Sequence, residues 1–375
     1  MSVAKVQILV FRPLTFLLMW IWSYFVVPTK ITAQETYGCG TKSPVRPYFT
    51  PAFPAGYRSN ETYQIKIFIH IIAESDGTGP AVEMTDLMSQ LEATQSFFAP
   101  ADICLKLVGI QQINSSDLME QRVDEEEDDL LPFLVGNAIN IFIHKFVYED
   151  DKIFGGSAYD IPNNYLSVDG DIMASEDRFD LIAHELGHCL GLYHTFETGL
   201  GSENVTRNGI CRNCDFTGDL LCDTPADPHD TENYDSGQYI DQACEYSGTI
   251  RDDCTESLYQ PDTRNIMAYG KETCHDHFSA QQGERMRAMI LNEDILTDCL
   301  VPNNITLSPA YNENTVFGRK ILIARNSLIV QGINFEISGA ASGLLSANSI
   351  TLLPRTRLRP VTGEVVVTPE NQLCD

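Results

Sequence analysis

The eleven residues from His184 to His194 read HELGHCLGLYH, and no other stretch restricts the possible folds of this chain so tightly. On an α-helix His184 and His188 stand four positions apart on one face, where both imidazoles can reach a single metal ion. Glu185 sits one position on, close enough to touch a water at the metal without being a ligand. A straight helix could not deliver His194, which would lie roughly 15 Å along the axis from His184 and face away. Gly191 removes the obstacle, because glycine takes the left-handed conformation that ends a helix and turns the chain back. Three neutral imidazoles with one open position make the ligand set of a catalytic zinc, whereas a structural zinc is closed by four protein ligands.

The spacing H-E-x-x-H-x-x-G-x-x-H is the metzincin signature, which also requires a methionine turn downstream. Asn265 to Gly270 (NIMAYG) supplies one, with Met267 at its centre. Four blocks in one order carry a closer likeness: HELGHCLGLYHT (184–195), GDLLCDTPA (218–226), NIMAY (265–269) and CHDHFSAQQGERM (274–286). In these the chain resembles the pappalysin, or cytophagalysin-like, peptidases (peptidase family M43), over about Tyr63 to Leu291. It departs from them at Cys189 and at Ala268, where the family often has Asp; neither position touches a ligand.

The resemblance implies an α+β fold: a metzincin-type catalytic domain with a twisted mixed sheet, an active-site helix and an irregular, disulfide-rich lower subdomain. It also implies zinc on His184, His188 and His194, with Met267 as the apolar floor beneath the imidazoles. Glu185 would act as general base and Tyr269 would hydrogen-bond the oxyanion, the alternative for Tyr269 being plain packing. Asp219, Asp223, Thr224 and Asp227 put several oxygen donors into one short loop, which suits calcium; related enzymes bind structural calcium here, which points to Asp219, Thr224 and Asp223 as its ligands. One disulfide is implied inside the loop region ending at Cys244, and another joining Cys254 to Cys274 across the methionine turn. The segment after that turn walls the S1′ pocket in metzincins, so Glu272 and the habits of relatives point to Arg or Lys at P1′. In metzincins the strand just before the active-site helix forms a sheet edge on which the substrate lies antiparallel.

With 25 basic and 52 acidic residues the net charge is −27, which disfavours nucleic acid and anionic membranes as partners. Eleven cysteines fit an oxidising compartment, and the odd count leaves at least one thiol unpaired within a monomer. Residues 1–33 read as a secretory signal: Lys5 and Arg12 precede an apolar run from Leu14 to Val27, and Ala33 offers a cut before Gln34. An uncleaved anchor is the alternative, although the run is short for a bilayer. No stable membrane insertion is expected after signal removal.

Residues 34–60 are rich in proline and form an expected short prosegment. It contains Tyr37-Gly38-Cys39-Gly40-Thr41. Short prosegments with a Cys-Gly pair keep similar families latent by pointing the thiolate at the zinc, so Cys39 is either such a switch or a disulfide partner, for example of Cys104. Strands are expected at Tyr63–Ile72, Ile103–Ile110 and Ala138–Val147, and helices at Val82–Phe98 and Ser279–Leu291. His70 and His144 are expected to pack inside strands, and His275 and His277 to be surface histidines. The acid run Asp124–Asp129 reads as a solvated loop or helix start. Ser175 is placed to cap the active-site helix, with Glu176, Asp177 and Asp180 in its first turns. Cys189 reads as a buried free thiol, and the C-x-x-C at Cys211 and Cys214 as disulfides rather than a zinc knuckle.

The catalytic domain is expected over residues 61–300. After Pro302, short β runs at Lys320–Ile323, Ser327–Val330, Ile350–Leu353 and Glu364–Val367 mark a β-rich module over 301–375, either purely structural or able to bind a surface or glycan. The sequence thus describes a secreted zinc endopeptidase acting on proteins or peptides. Two rivals keep the motif: a non-catalytic zinc-containing adhesion module, and a metal-dependent amidase acting on a non-peptide substrate.

Overall fold

Tyr63–Ala73 (β2) is buried along nearly its whole length, as its apolar residues require of a strand covered on both faces. The computed structural model describes residues 38–42, 50–51, 61–149, 152–175, 179–229, 235–307, 311–313, 319–330, 335–339, 341–354, 356–360 and 365–368. The expected signal segment, most of the expected prosegment, and Glu176 and Asp177 lie outside these residues.

The catalytic part begins with the two-residue strand Gly38–Cys39 (β1) and then β2. The helix Met84–Phe98 (α1) follows and ends where Pro100 opens a tight turn. Next come the strands Ile103–Asn114 (β3), Glu120–Arg122 (β4), Ile139–His144 (β5), Phe146–Glu149 (β6), Lys152–Ser157 (β7) and Tyr165–Asp169 (β8). Three helices complete it before a fourth closes the domain: Gly170–Met173 (α2), Leu181–Cys189 (α3) and Ala280–Asn292 (α4), then Asp294–Thr297 (α5). The strands form one sheet in the order β3-β2-β5-β8-β7-β6-β4, with β1 added to β7. β7 runs antiparallel to both β8 and β6, while every other pairing is parallel.

The apolar face of this sheet packs on α1, α3 and α4, joining Ile67, Ile69, Ile141 and Val168 to Leu87, Leu186, Met286 and Ile290. The helix expected at Ser279–Leu291 starts one residue later because Ser279 is its cap, completing a capping box with Gln282. The single strand expected at Ala138–Val147 is two, β5 and β6, broken at Lys145, whose N–H turns aside to Met119 O. The acid run leads into a short 3₁₀ segment, Glu127–Phe133, with its acids in the first turn.

Two expectations are corrected. The strand immediately before the active-site helix is β8, and it is interior, paired to β5 and β7. The edge over the cleft belongs to the antiparallel strand β7, where residues 154–156 pair with β1. Ser175 does not cap α3; its N–H bonds Ile172 O at the end of α2, and Asp180 takes the N-cap position with no side-chain cap bond.

Beyond the catalytic part the chain winds into a parallel solenoid. Strands Asn304–Leu307 (β9), Tyr311–Glu313 (β10) and Arg319–Ile323 (β11) make one turn. Ser327–Val330 (β12), Phe335–Gly339 (β13) and Ser342–Ser346 (β14) make the next, and Ser349–Leu352 (β15), Arg357–Pro360 (β16) and Val365–Thr368 (β17) the last. Each strand pairs in parallel with its counterpart one turn away, giving three three-stranded sheets. Leu328, Val330, Phe335, Ile337 and Leu345 fill the interior. Val301, Ile321 and Ile323 seat the solenoid on Phe68, Val108 and Ala138 of the catalytic sheet.

Candidate active site

All nine residues of α3 are buried, so this short helix is held by packing rather than by propensity. Gly187 lets it approach the methionine turn: a Cβ there would lie 2.7 Å from Met267 Sδ. Gly191 has φ +91°, and its N–H and that of Leu192 bond back to the helix carbonyls of His188 and Gly187. The chain reverses at once, and His194 returns to the helix face that carries His184 and His188.

The three Nε2 atoms meet. His184 and His188 are separated by 3.2 Å, His184 and His194 by 3.2 Å, and His188 and His194 by 3.1 Å. His184 Nδ1 donates to Ile266 O at 2.7 Å and His188 Nδ1 to Leu192 O at 2.8 Å. Those bonds keep the ring protons on Nδ1 and turn bare Nε2 lone pairs toward one point. Burial, then the neighbouring imidazoles, hold His188 and His194 well below the usual histidine range. Neutral, converging nitrogens that repel one another fit a divalent cation between them. Met267 is fully buried beneath, its carbonyl accepting from Thr195 N and its own N–H held by Asn265 Oδ1.

Cys39 reaches the same point. Its Sγ lies with the three imidazole nitrogens inside a group of ligand atoms all within 4.8 Å of one another. Its thiol also donates to Glu185 Oε2 at 3.3 Å, and that oxygen accepts from Thr41 Oγ1 at 2.9 Å. Burial first, then the Glu185 charge, pushes this thiol well above its ordinary range; a bound cation acts in the opposite sense. Cys39 is a free thiol and Cys104 is disulfide-bonded, so the pairing of these two is not formed.

Tyr269 faces the cluster from the other side. Its hydroxyl accepts from Cys39 N at 2.5 Å, and its ring stands 5.0 Å from that of His194. Phe196 and His229 pack around it, with ring centroids 4.5 Å and 5.1 Å away. His229 belongs to none of the sequence motifs; its loop is held by Asp227, which accepts from His229 N and from Thr195 Oγ1. A cavity of about 280 Å³ opens beside Glu185 and His184, lined also by Asp180, Asp235, Gly270 and His275. His275 is therefore not the surface residue expected: its side chain is only 4% exposed and its Nδ1 lies 2.6 Å from Asp180 Oδ2. Glu272 opens the short helical turn Glu272–Cys274, but its side chain lies outside the described residues.

The proposed calcium donors separate. Asp219 is buried, and its Oδ1 accepts from Thr224 Oγ1 at 3.0 Å and from Leu221 N, while Oδ2 has no hydrogen-bond partner among the described residues. Asp223 instead points away, accepting from Ser279 Oγ and Gln281 N, both at 2.8 Å, at the start of α4. Its place near Asp219 is taken by Glu203, which no sequence pattern marks. Burial and the Asp219 charge push Glu203 up to about 9, and burial pushes Asp219 up to about 7. The disulfides also differ from expectation: Cys254 joins Cys211, Cys274 joins Cys244, and Cys214 joins Cys222. Cys244 has φ +65°, and its bridge to Cys274 spans the methionine turn. Cys189 is a buried free thiol, as expected.

This helix, its third histidine and the methionine turn beneath them, on a mixed sheet with one antiparallel strand, define a metzincin-type metalloendopeptidase. The family profile described as pregnancy-associated plasma protein-A (peptidase family M43) matches residues 157–291. An extracellular metalloprotease of Sordaria macrospora is 24% identical over 277 residues, covering 67% of this chain and 87% of the relative. Another, from Aspergillus oryzae, is 29% identical over 123 residues, 33% of this chain and 31% of the relative. Among solved structures, Tannerella forsythia mature mirolysin in complex with a cleaved peptide aligns with TM-score 0.45 and 18% identity, covering 65% of this chain and all of that one. No helix among the described residues is long and apolar enough to cross a membrane.

Proposed function

We propose that the protein is a secreted zinc endopeptidase made as a latent precursor, with a catalytic domain over 61–300 and a solenoid module over 301–375. The observation that carries this is the convergence of three Nε2 lone pairs within 3.2 Å beside the Glu185 carboxylate. His184, His188 and His194 would hold the zinc. When bound, zinc supplies Lewis acidity and brings the pKa of a water to about 7. Glu185 Oε2 takes the proton as the scissile carbonyl is attacked, then returns it to the leaving amine. The Tyr269 hydroxyl donates to the oxyanion once it is free of the Cys39 backbone. The free edge of β7 pairs with an extended substrate backbone.

In the precursor that edge is filled. β1 runs parallel to β7, the reverse of the antiparallel direction expected for substrate, so the segment blocks the cleft without offering a peptide bond in the reactive sense. Cys39 would hold the zinc's fourth ligand position, and Thr41 holds the general base. Removal of residues 34 to about 60 opens the site. The cavity after the methionine turn receives the P1′ side chain, with Arg or Lys preferred. Calcium on Asp219 and Thr224, with Glu203 nearby, stabilises the lower subdomain. The solenoid is the part suited to a surface or glycan, which a pull-down with and without residues 301–375 tests.

Casein cleavage by the processed protein, abolished by a chelator and restored by zinc, is the expected result. Metal binding without cleavage would favour the adhesion module, and release of ammonia from a non-peptide amide without proteolysis would favour the amidase.

A further inference from the structure

His229 lies beside the zinc ligands and has no task in the mechanism. The run Asp227-Pro228-His229 explains how it is held there. Asp227 Oδ1 accepts from His229 N at 3.0 Å, closing a turn over Pro228, whose ring fixes the backbone between them. Asp227 Oδ2 accepts from Thr195 Oγ1 at 2.8 Å, which ties the turn to the residue after the ligand His194. At its other end His229 Nδ1 lies 3.1 Å from Ser236 Oγ, and the side chain is only 11% exposed. Four rings meet at this point. The centroids of Phe196, His194 and His229 stand 4.5, 5.0 and 5.1 Å from that of Tyr269. Phe196 also stacks on His194 at 4.7 Å and lies 4.6 Å from His229. His194 and Phe196 belong to the metal-binding segment, whereas His229 is the wall supplied by a separate loop. Its ring meets Tyr269 at 77°, the edge-to-face arrangement in which two rings attract.

We propose that His229 is a positioning residue: its ring fixes Tyr269 so that the hydroxyl stays at the metal site after the blocking segment has gone. This rests on the zinc peptidase reading with Tyr269 as oxyanion donor, and assigns the holding of that donor to a named side chain. In the precursor the hydroxyl has a second anchor, since it accepts from Cys39 N at 2.5 Å. Removal of residues 34 to about 60 takes that anchor away. The ring contacts remain, because Phe196, His194 and His229 all lie outside the removed segment. A donor that has to be reoriented at each turnover loses the advantage of preorganisation, so the cost of a loosened ring falls on the chemical step. His229 also lines the cavity beside Glu185. Contact with a substrate side chain is therefore the competing role, and it would act on KM and leave kcat alone.

The test compares variants of the zinc-loaded full chain after limited proteolysis, on one casein-derived peptide. His229→Ala should lower kcat by about three- to tenfold, the weight of one aromatic pair, and change KM by less than about twofold. His229→Phe, which restores a ring edge, should recover most of kcat. In the Tyr269→Phe background His229→Ala should cost nothing further, because the hydroxyl that it positions is gone. A general loosening of the loop would slow both backgrounds alike. Zinc content by atomic absorption should match wild type throughout; if His229→Ala does not fold, His229→Leu, which fills the volume without a ring, takes its place. A second readout needs no catalysis: fluorine NMR of the processed, zinc-loaded Glu185→Gln protein labelled with fluorotyrosine. The line lost in Tyr269→Phe belongs to Tyr269, and His229→Ala should broaden or split it while His229→Phe leaves it single. An unchanged kcat in His229→Ala, an equal loss in both backgrounds, or a raised KM with kcat kept overturns the assignment. If no peptide is cleaved, or Tyr269→Phe is as fast as wild type, the mechanism fails on its own, and the fluorine line still decides whether His229 holds the ring.

Discussion

Glu185 Oε2 accepts a hydrogen bond from Thr41 Oγ1 at 2.9 Å, and in the proposed precursor it is occupied until the segment carrying Thr41 leaves. The Glu185→Gln protein should keep zinc at wild-type stoichiometry by atomic absorption and lose about 10²- to 10⁴-fold in kcat/KM on casein peptides. A fully active variant would refute the assigned base. Tyr269→Phe keeps the ring packed against His194, Phe196 and His229 but removes one donor to the oxyanion. It should lower kcat by on the order of 10²-fold with little change in KM. These residues are legible in the sequence because their spacing is local: eleven positions bring three histidines together, and the methionine turn has its own short pattern. His275 and Glu203 are not, since a lone histidine or glutamate in a loop has no periodicity: Glu203 meets Arg207, four positions on, at 2.8 Å and the charge of Asp219, and His275 meets a partner far away along the chain. For His275 that partner is Asp180, 95 residues earlier.

At the level of elements, the proposed latency rests on the two-residue strand β1. Its pairing is brief, Gly38 with Phe154 and Cys39 with Gly156, with one further bond from Gly40 N to Gly156 O. So little backbone pairing is weak against a competing substrate, and in the proposed precursor the thiol would supply the rest as a tethered ligand. The full chain with Cys39→Ala should therefore hydrolyse peptides before any processing, on the order of tenfold or more faster than the unprocessed wild type, because the tethered ligand loses its anchor. Equal latency in the two proteins would shift the inhibitory role to Thr41 and the backbone. The long regular elements follow from periodicity, and α1, β2 and α4 lie close to where apolar spacing puts them. The edge strand does not, because what exposes β7 is the reversal between β6 and β7, set by tertiary pairing. The solenoid is hidden for a related reason. Its strands begin at Asn304, Ser327 and Ser349 on one face, but successive turns share apolar alternation rather than identical residues. Cysteine pairing is equally hidden, since loops without regular structure give no rule for which Cα atoms come within bonding range.

For the molecule as a whole, the acid excess of 52 over 25 basic residues makes stability depend on what neutralises the buried carboxylates. Glu203 and Asp219 sit in the lower subdomain with pKa values pushed up to about 9 and about 7, against ordinary values of 4.5 and 3.8. A carboxyl whose folded pKa lies above its unfolded one stabilises the fold fully at pH below the unfolded value, and that contribution is lost as pH rises through the folded value. Without divalent cation, the fold should therefore weaken steadily from about pH 4 to about pH 9. Calcium needs both groups ionised and so acts in the opposite direction, adding most where the unliganded site is weakest. At a hundred times its Kd it would add about 2.7 kcal/mol. Thermal unfolding of the zinc-loaded chain, followed at pH 5, 7 and 8.5 with and without calcium in a chelator buffer that spares zinc, gives the comparison. The calcium-induced rise in Tm should be small at pH 5 and largest at pH 8.5, and Glu203→Gln should flatten the pH dependence of the calcium-free protein. A calcium effect independent of pH would mean that the ion binds elsewhere, and that this carboxylate pair remains protonated in the working enzyme.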